Sequence, residues 1–177
     1  ADRGTVVYFD RDYAALAAAL SKSIPNLPLI SFVDASYDGS KVLIQAESDT
    51  DPGRFYVYDK AKRTLNETML VRPMLEQVPL ANVRTVSYKA GDGAEVPAYL
   101  TLPPGSDGKN LPAIVMPHGG PWARDEWGFD WLAQFFANQG YAVLQPNFRG
   151  STGYGDEWFA ESGFKSWQLA IGDINAG

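Results

Sequence analysis

The stretch that decides the fold is Leu111-Pro112-Ala113-Ile114-Val115-Met116, followed at once by Pro117-His118-Gly119-Gly120-Pro121. A continuous apolar run of this kind is typical of a strand that is buried on both faces. The glycine-rich turn after it lies at the strand's carboxyl end, where open α/β sheets place their ligands. Two glycines let a substrate approach the backbone, whose N–H groups can point at an anionic oxygen. The stretch therefore predicts an α/β sheet with a backbone-lined site at one strand end.

The segments around this stretch predict a parallel sheet and a hairpin before it. Apolar residues recur at helical spacing over Phe129–Asn138, and Tyr141–Leu144 is a further apolar strand. The order strand, loop, helix, strand is the βαβ pattern of parallel pairing. Upstream, Val83–Lys89 and Glu95–Leu102 flank the turn sequence Gly91-Asp92-Gly93, which predicts a β-hairpin.

The first half of the chain has a different sequence pattern, in which short β-like runs are separated by turns. Asp10 is a candidate N-cap for a helix over Tyr13–Leu20. Asp38-Gly39 and Asp51-Pro52-Gly53 are turn signals. The candidate strands are Thr5–Phe9, Leu29–Val33, Lys41–Glu47, Arg54–Tyr58 and Thr64–Thr68. The last four predict one antiparallel meander, which is the size of a single propeller blade.

Composition excludes several classes of function. The chain has 177 residues, enough for one domain or slightly more, and its net charge of -6 comes without a concentrated basic face for nucleic acid. No apolar run reaches the length of a membrane helix. With no cysteine and one histidine, the sequence excludes a disulfide framework, a thiolate zinc site and a histidine-rich metal site. The absence of cysteine fits both the cytoplasm and the periplasm.

The second glycine-rich motif is Asn147-Phe148-Arg149-Gly150-Ser151-Thr152-Gly153-Tyr154-Gly155, again just past a strand end. Ser151 has Gly153 two residues after it but Arg149 two residues before, so it lacks the Gly-x-Ser-x-Gly elbow of a nucleophile. No other serine of the chain satisfies that pattern. Arg149 has two interpretations, one as a residue that positions a carboxylate and one as the partner of an internal acidic residue.

The first glycine motif has the form that an oxyanion-binding turn takes in lipase-like α/β-hydrolases. Pro121 has no N–H, so Gly120 is the preferred donor and Gly119 the second. A plain glycine-rich turn is the alternative. His118 precedes any possible nucleophile, whereas hydrolase triads run in the order serine, acid, histidine. We therefore expect His118 to order the loop instead of acting as a general base.

Three stretches together resemble the prolyl oligopeptidase family of serine peptidases, in its acylaminoacyl-peptidase and dipeptidyl-aminopeptidase-like branch. They are residues 118–122, 140–144 and 147–155, and the lead-in over residues 92–100 is also similar. The resemblance implies that residues 1–73 are the end of a β-propeller, about one blade. It implies that residues 74–177 are the first part of an α/β-hydrolase domain, which stops before the nucleophile elbow.

The resemblance also implies a set of site residues. Gly120, with Gly119 second, would offer its N–H to the oxyanion, and the candidate substrate contacts are His118, Trp122, Arg149 and Tyr154. The family's nucleophile, acid and base would have no counterpart among these 177 residues. The implied parent cleaves short peptides through an acyl-enzyme and needs no metal or other cofactor. This piece alone is expected to be inactive.

Two other readings stay open. An esterase or lipase-like hydrolase would use the same glycine turn. A binding or assembly module would use no chemistry, and the chain ends look like those of a fragment. In that case the sheet edge at the Tyr141 strand would be open, and we expect self-association because open edges invite pairing.

Overall fold

Two four-stranded sheets organise the residues that the computed structural model describes, which are 6–120, 123–159 and 166–177. Each sheet belongs to its own unit of the chain. The first unit runs up to Leu80 and includes Gly128–Trp131. The second unit comprises Ala81–Trp127 and Leu132–Gly177.

The first unit is one helix and an antiparallel meander. Its strands pair in chain order, β1 with β2, β2 with β3 and β3 with β4, as the turn signals predict. The elements are α1 (Arg11–Ser23), β1 (Leu29–Ala35), β2 (Lys41–Glu47), β3 (Arg54–Asp59), β4 (Thr64–Leu70) and a 3-10 turn at Pro73–Leu75.

The start of α1 confirms the predicted cap. The Asp10 carboxylate accepts the N–H groups of Asp12 and Tyr13 at 2.8 and 3.0 Å, so it satisfies two donors that the first helical turn leaves free. The strand predicted over Thr5–Phe9 is wrong for its described residues, 6–9, which form no strand. Phe9 is 98% exposed there. A β-branched run stays irregular when no neighbouring strand takes up its hydrogen bonds.

The second unit is built on a mixed sheet in the order β5-β6-β8-β7. β5 and β6 form the predicted hairpin, β6 pairs antiparallel with β8, and β8 pairs parallel with β7, as the βαβ pattern predicts. The elements are β5 (Val83–Lys89), β6 (Glu95–Thr101), β7 (Ala113–Val115), α2 (Trp131–Asn138), β8 (Ala142–Pro146) and α3 (Trp167–Ala176).

The deciding strand, β7, is shorter and less buried than its apolar sequence predicts. It spans three residues, and Ala113 and Val115 are exposed, so the expectation of a strand buried on both faces is wrong. Pro112 lacks an N–H and limits the ladder at its start. The expected open edge at the Tyr141 strand is also wrong. β8 lies inside the sheet, and β5 and β7 are the edge strands of the described part.

Two buried side chains form hydrogen bonds with backbone groups at the start of the second unit. Gln134, on α2, accepts the N–H of Ala81 at 2.8 Å and donates to the carbonyl of the same residue at 2.7 Å. The indole N–H of Trp127 donates to the carbonyl of Val83 at 3.0 Å. Because both side chains satisfy backbone groups, they hold the start of α2 and the segment before it at defined positions.

The core of the first unit generates a stability prediction. Ile44, on β2, is fully buried in the cluster of Leu20, Leu27, Ile30, Val42, Ala46 and Tyr56. Ile44→Ala removes three buried carbons and leaves a cavity, so we expect the free energy of unfolding to fall by about 2–5 kcal/mol. Urea denaturation measures it. Val33→Ala, at a half-exposed position, is the control and should cost less than about 1 kcal/mol.

Candidate active site

The two glycine-rich motifs meet because their strands run parallel. The glycine turn, Pro117–Gly120, follows β7, and the loop Asn147–Gly155 follows β8. The ladder continues one step past β7, where the N–H of Met116 donates to the carbonyl of Leu144 at 2.8 Å. Both loops therefore leave the sheet at the same edge, which is the usual place for a ligand site in a parallel sheet.

The glycine turn presents backbone donors. Gly119 and Gly120 are both exposed, and among the described residues neither N–H donates a hydrogen bond. Gly120 has a φ of +76°, in the left-handed region that favours glycine. Gly119 does not have a positive φ. Pro121 and Trp122, the latter a predicted substrate contact, lie outside the described residues.

His118 joins the glycine turn to the second loop. Its Nε2 lies 2.7 Å from Oγ of Ser151, and its ring stacks on Phe148 with centroids 4.5 Å apart and planes at 14°. Its Nδ1 lies 3.3 Å from the carbonyl oxygen of Gly119. Ser151 is fully buried. This pair has the distance of a nucleophile and its base, but a buried hydroxyl offers no access to a substrate.

The hydroxyl of Ser151 links the Phe148 carbonyl to the ring of His118. Oγ of Ser151 donates to the carbonyl of Phe148 at 2.7 Å, and the same carbonyl also accepts the backbone N–H of Ser151 and the indole N–H of Trp158. Burial, aided by the nearby charge of Arg124, lowers the pKa of His118 below 6.5 and keeps the ring neutral.

Asn147 joins the two loops a second time, on the other side of the glycine turn. It is fully buried, accepts the N–H of Asp125 at 2.8 Å and donates to the Asp125 carbonyl at 3.0 Å. Its amide also lies 2.9 Å from the hydroxyl of Tyr154. One step away, the N–H of Thr152 donates to the carbonyl of Ala123 at 3.0 Å. The segment that follows the glycine turn is therefore bound to the second loop by backbone contacts.

Tyr154, a predicted substrate contact, carries a stacked arginine. The guanidinium of Arg124 lies 4.8 Å from the centre of the Tyr154 ring, and its Nη2 is 3.4 Å from the tyrosine hydroxyl. Gly153 leaves the room for this arrangement, because a side chain there would collide with Nη1 of Arg124. The glycine of the motif therefore has a steric role in addition to its positive φ of 85°.

Arg149, another predicted substrate contact, is engaged by acidic residues of its own chain. Its Nη2 and Nε bind the carboxylate of Asp173 at 2.6 and 3.0 Å, its N–H binds the same group at 2.9 Å, and its Nη1 binds Asp92 at 2.7 Å. Asp173 lies on α3 and is fully buried. The hydrogen bond from Arg149 lowers the pKa of Asp92. This is the internal pairing that one of the two interpretations of Arg149 expects.

Tyr88 adds a contact to the same helix. Its hydroxyl donates to the carbonyl of Asp173 at 2.8 Å, and burial raises the pKa of Tyr88 to about 12. The described residues contain no group of three or more acidic, histidine or cysteine side chains that could hold a metal ion. A cavity of about 640 Å³ lies in the first unit, between α1 and the β3–β4 turn, and it contains neither glycine turn nor histidine.

Sequence reasoning missed the residues that hold the site together. Asn147 and Ser151 are inside the quoted motif, but only Asn147 carries a signal, which is its place directly after a buried strand. Asp173 and Asp92 had no signal, because they lie 24 and 57 positions away from Arg149 in the chain. Arg124 belongs to the charged run Arg124-Asp125-Glu126, which gives no signal for a partner on another segment.

Comparisons with known proteins show what this chain is similar to. Residues 127–170 match the model of the prolyl oligopeptidase family. Dipeptidyl aminopeptidase BIII of Pseudoxanthomonas mexicana is 35% identical over 175 residues, which cover 92% of this chain and 25% of that protein. The chain thus spans about a quarter of the length of this curated relative.

Solved structures share the fold. The acylaminoacyl peptidase of Pyrococcus horikoshii matches with a TM-score of 0.60 at 23% identity, over 82% of this chain and 23% of that one. An acylaminoacyl peptidase in complex with Z-Gly-Gly-Phe-chloromethyl ketone matches with a TM-score of 0.61 at 24% identity, over 83% of this chain and 23% of that one. Among the described residues, no helix has the length and apolar character that crossing a bilayer requires.

The Arg149–Asp173 pair generates a prediction with a matched control. Asp173→Asn keeps the shape of the side chain but removes the fully buried charge that Arg149 binds, so we expect a loss of about 3–5 kcal/mol in unfolding free energy. Asp92→Asn breaks the exposed contact of the same arginine and should cost much less, because solvent screens an exposed ion pair. Urea denaturation compares the two. Equal losses would contradict the assignment of the buried contact as the structural one.

His118 is the single histidine of the 177 residues, so its titration can be followed by NMR without assignment of other rings. We expect a midpoint below 6.5, because burial favours the neutral imidazole. The unfolded chain then takes up this proton before the folded chain does. Stability is therefore highest above pH 6.5 and declines as the pH falls towards the folded pKa. A midpoint at or above 6.5 would rule out this environment for the ring.

Proposed function

Because the chain belongs to the prolyl oligopeptidase family, we propose that it is part of a serine peptidase that cleaves short peptides through an acyl-enzyme. Within that protein, residues 1–73 are the end of a β-propeller and residues 74–177 the first part of an α/β-hydrolase domain. The antiparallel meander of the first unit supports the first assignment. The parallel β7–β8 pair with α2 supports the second.

The observation that carries the proposal is the exposed pair of glycine N–H groups at the carboxyl end of β7. In acyl transfer by a serine triad, the serine oxygen attacks the carbonyl, the histidine moves the proton and the acid orients the histidine. Negative charge then collects on the carbonyl oxygen, and fixed N–H donors stabilise it without reorganising. Gly120 supplies the preferred donor, and Gly119 is the second choice.

The nucleophile, general base and acid lie outside this sequence in the proposal. Ser151 is the one serine that a histidine contacts in the described residues, but it is fully buried, and its hydroxyl is engaged by His118 and by the carbonyl of Phe148. The 177-residue polypeptide alone is therefore expected to be inactive. His118 is a loop-ordering residue in this scheme. Its ring faces the buried hydroxyl of Ser151, so it is not placed to act as the base for a substrate.

Peptides are the proposed substrates. A relative named dipeptidyl aminopeptidase and a structural neighbour that holds a peptidyl chloromethyl ketone support this class. Of the predicted substrate contacts, Tyr154 and His118 keep part of their side chains accessible, whereas the nitrogens of Arg149 bind acidic residues. We therefore assign Tyr154 to the pocket wall and Arg149 to the support of the loop.

An esterase uses the same donors, so the substrate decides between the two chemistries. The complete protein that carries this sequence is assayed on dipeptidyl and aminoacyl naphthylamides and on short acyl esters. We expect amide hydrolysis, with no turnover by the 177-residue polypeptide. Exclusive ester hydrolysis would favour the esterase, and no hydrolysis of either would favour a binding module.

The oxyanion assignment generates a prediction at the two glycines. A Cβ at Gly119 meets nothing within 4 Å, and a Cβ at Gly120 meets only Ala123 at 3.8 Å, so neither alanine is excluded by space. Gly120→Ala, however, places an L side chain at a φ of +76° and should turn the N–H away. We expect kcat of the complete enzyme to fall about 100- to 1000-fold.

Gly119→Ala is the matched control, because this glycine does not need a positive φ. We expect kcat for that variant to stay within about fivefold of the original enzyme, as its backbone has no reason to move. A larger loss at Gly119 than at Gly120 would transfer the principal donor role to Gly119.

A further inference from the structure

We propose that Asn147 and Ser151 are positioning residues that hold the glycine turn from both sides, an inference that rests on the proposed function. Neither side chain reaches a substrate, since both are fully buried. Each contacts one flank of the turn. Ser151 binds His118 before the glycines, and Asn147 binds Asp125 after them.

The turn needs such support because the N–H groups that would bind the oxyanion cannot also form hydrogen bonds within the turn. An N–H group that is to bind an oxyanion has to stay without a partner in the resting protein. Among the described residues, the N–H groups of Gly119 and Gly120 meet this condition. The same condition deprives the turn of its own hydrogen bonds. Its geometry must therefore be held by neighbouring residues, to within about 0.5 Å for efficient catalysis.

The anchor before the glycines acts through the ring of His118. The imidazole is held by three contacts: Oγ of Ser151 at 2.7 Å, the stacked Phe148 ring and the carbonyl of Gly119. The hydrogen bond with Ser151 is the contact that keeps the imidazole from rotating within its own plane. Without its hydroxyl, Nε2 loses a buried partner, and the ring together with the adjacent Gly119 backbone is free to shift.

The anchor after the glycines depends on the chemistry of an amide. Asn147 accepts from the N–H of Asp125 and donates to its carbonyl, so it needs one acceptor and one donor at fixed positions. Aspartate has nearly the same shape but no donor. In Asn147→Asp a carboxylate oxygen faces the Asp125 carbonyl, and repulsion replaces the hydrogen bond.

The loop that carries both anchors is itself fixed. Arg149, which lies between Asn147 and Ser151, binds the buried carboxylate of Asp173 on α3 through both its backbone N–H and its guanidinium. α3 therefore binds Arg149 and so holds the loop. The loop in turn holds the glycine turn through the side chains of Asn147 and Ser151. Each step is a hydrogen bond of 3.0 Å or shorter.

The experiment uses the complete protein and three variants: Ser151→Ala, Asn147→Asp and the control Thr101→Val. Thr101 is fully buried in β6 of the same sheet, and its hydroxyl has no hydrogen-bond partner among the described residues. Thr101→Val therefore removes a buried hydroxyl that holds nothing. Active-site titration with a fluorophosphonate counts folded enzyme, so that misfolding does not enter kcat.

We expect Ser151→Ala and Asn147→Asp to lower kcat by about 10- to 100-fold with KM within about twofold, since a displacement of about 1 Å costs this much. Binding of a peptide aldehyde, which forms a tetrahedral adduct, should weaken by the same factor as kcat/KM, whereas binding of a product peptide should not change. Thr101→Val should keep kcat within about twofold. Unchanged kcat, or a loss confined to KM, would overturn the inference.

A second readout separates this inference from the proposed function. Hydrogen exchange of the segment 117–125, followed by mass spectrometry, should accelerate in Ser151→Ala and Asn147→Asp and stay unchanged in Thr101→Val. If the original protein hydrolyses neither amides nor esters, the proposed function fails, and exchange alone decides whether the two residues hold the turn. Exchange equal to that of the original protein in both variants would overturn the anchoring role.

Discussion

The parallel pairing of β7 with β8 is the constraint on which the site depends. The ladder is short, with Ala113 opposite Ala142, Ile114 opposite Val143 and Val115 opposite Leu144. Because the two strands point the same way, the loops after them start side by side and can exchange contacts along their whole length. A slip of one residue would turn every side chain of β7 to the other face and move His118 away from Ser151. The contacts between the loops therefore also fix the register of a strand that is too short to fix it alone.

Buried polar groups carry the structure from the sheet to the site. Asn147, Ser151 and Asp173 are all fully buried, and burial of such groups is unfavourable unless each finds its hydrogen bonds. Here Asn147 binds the backbone of Asp125, Ser151 binds the imidazole of His118, and Asp173 binds Arg149. The arrangement makes the contacts mutually dependent, since the loss of one partner leaves another group buried and unsatisfied. Apolar side chains could fill the same space, but they would not fix the orientation of the groups that these hydrogen bonds hold.

Most helices and strands could be predicted because short-range preferences determine them. The length of β7 and the pairing within the site depend on long-range contacts. Asp10 caps α1, and the turn residues between β1 and β4 define the meander, because these preferences act over a few residues. β7 came out shorter than its apolar run and residues 6–9 formed no strand, because strand formation depends on a partner that the local sequence does not contain. In the site, glycine spacing located both loops. The pairing of Arg149 with Asp173 could not be read from the sequence, as the chemistry of an arginine is the same whichever acid it meets.

The glycine turn reconciles two requirements that oppose each other. Under the proposed function, its N–H groups must be unpartnered and exposed to receive an oxyanion, yet an exposed turn without internal hydrogen bonds is mobile. The chain separates the two tasks, since exposed glycines present the donors and buried side chains of the neighbouring loop supply the order. Under the proposed function this division of roles serves acyl transfer, because donors that are held in place stabilise the charge on the oxyanion without reorganising at the moment of reaction.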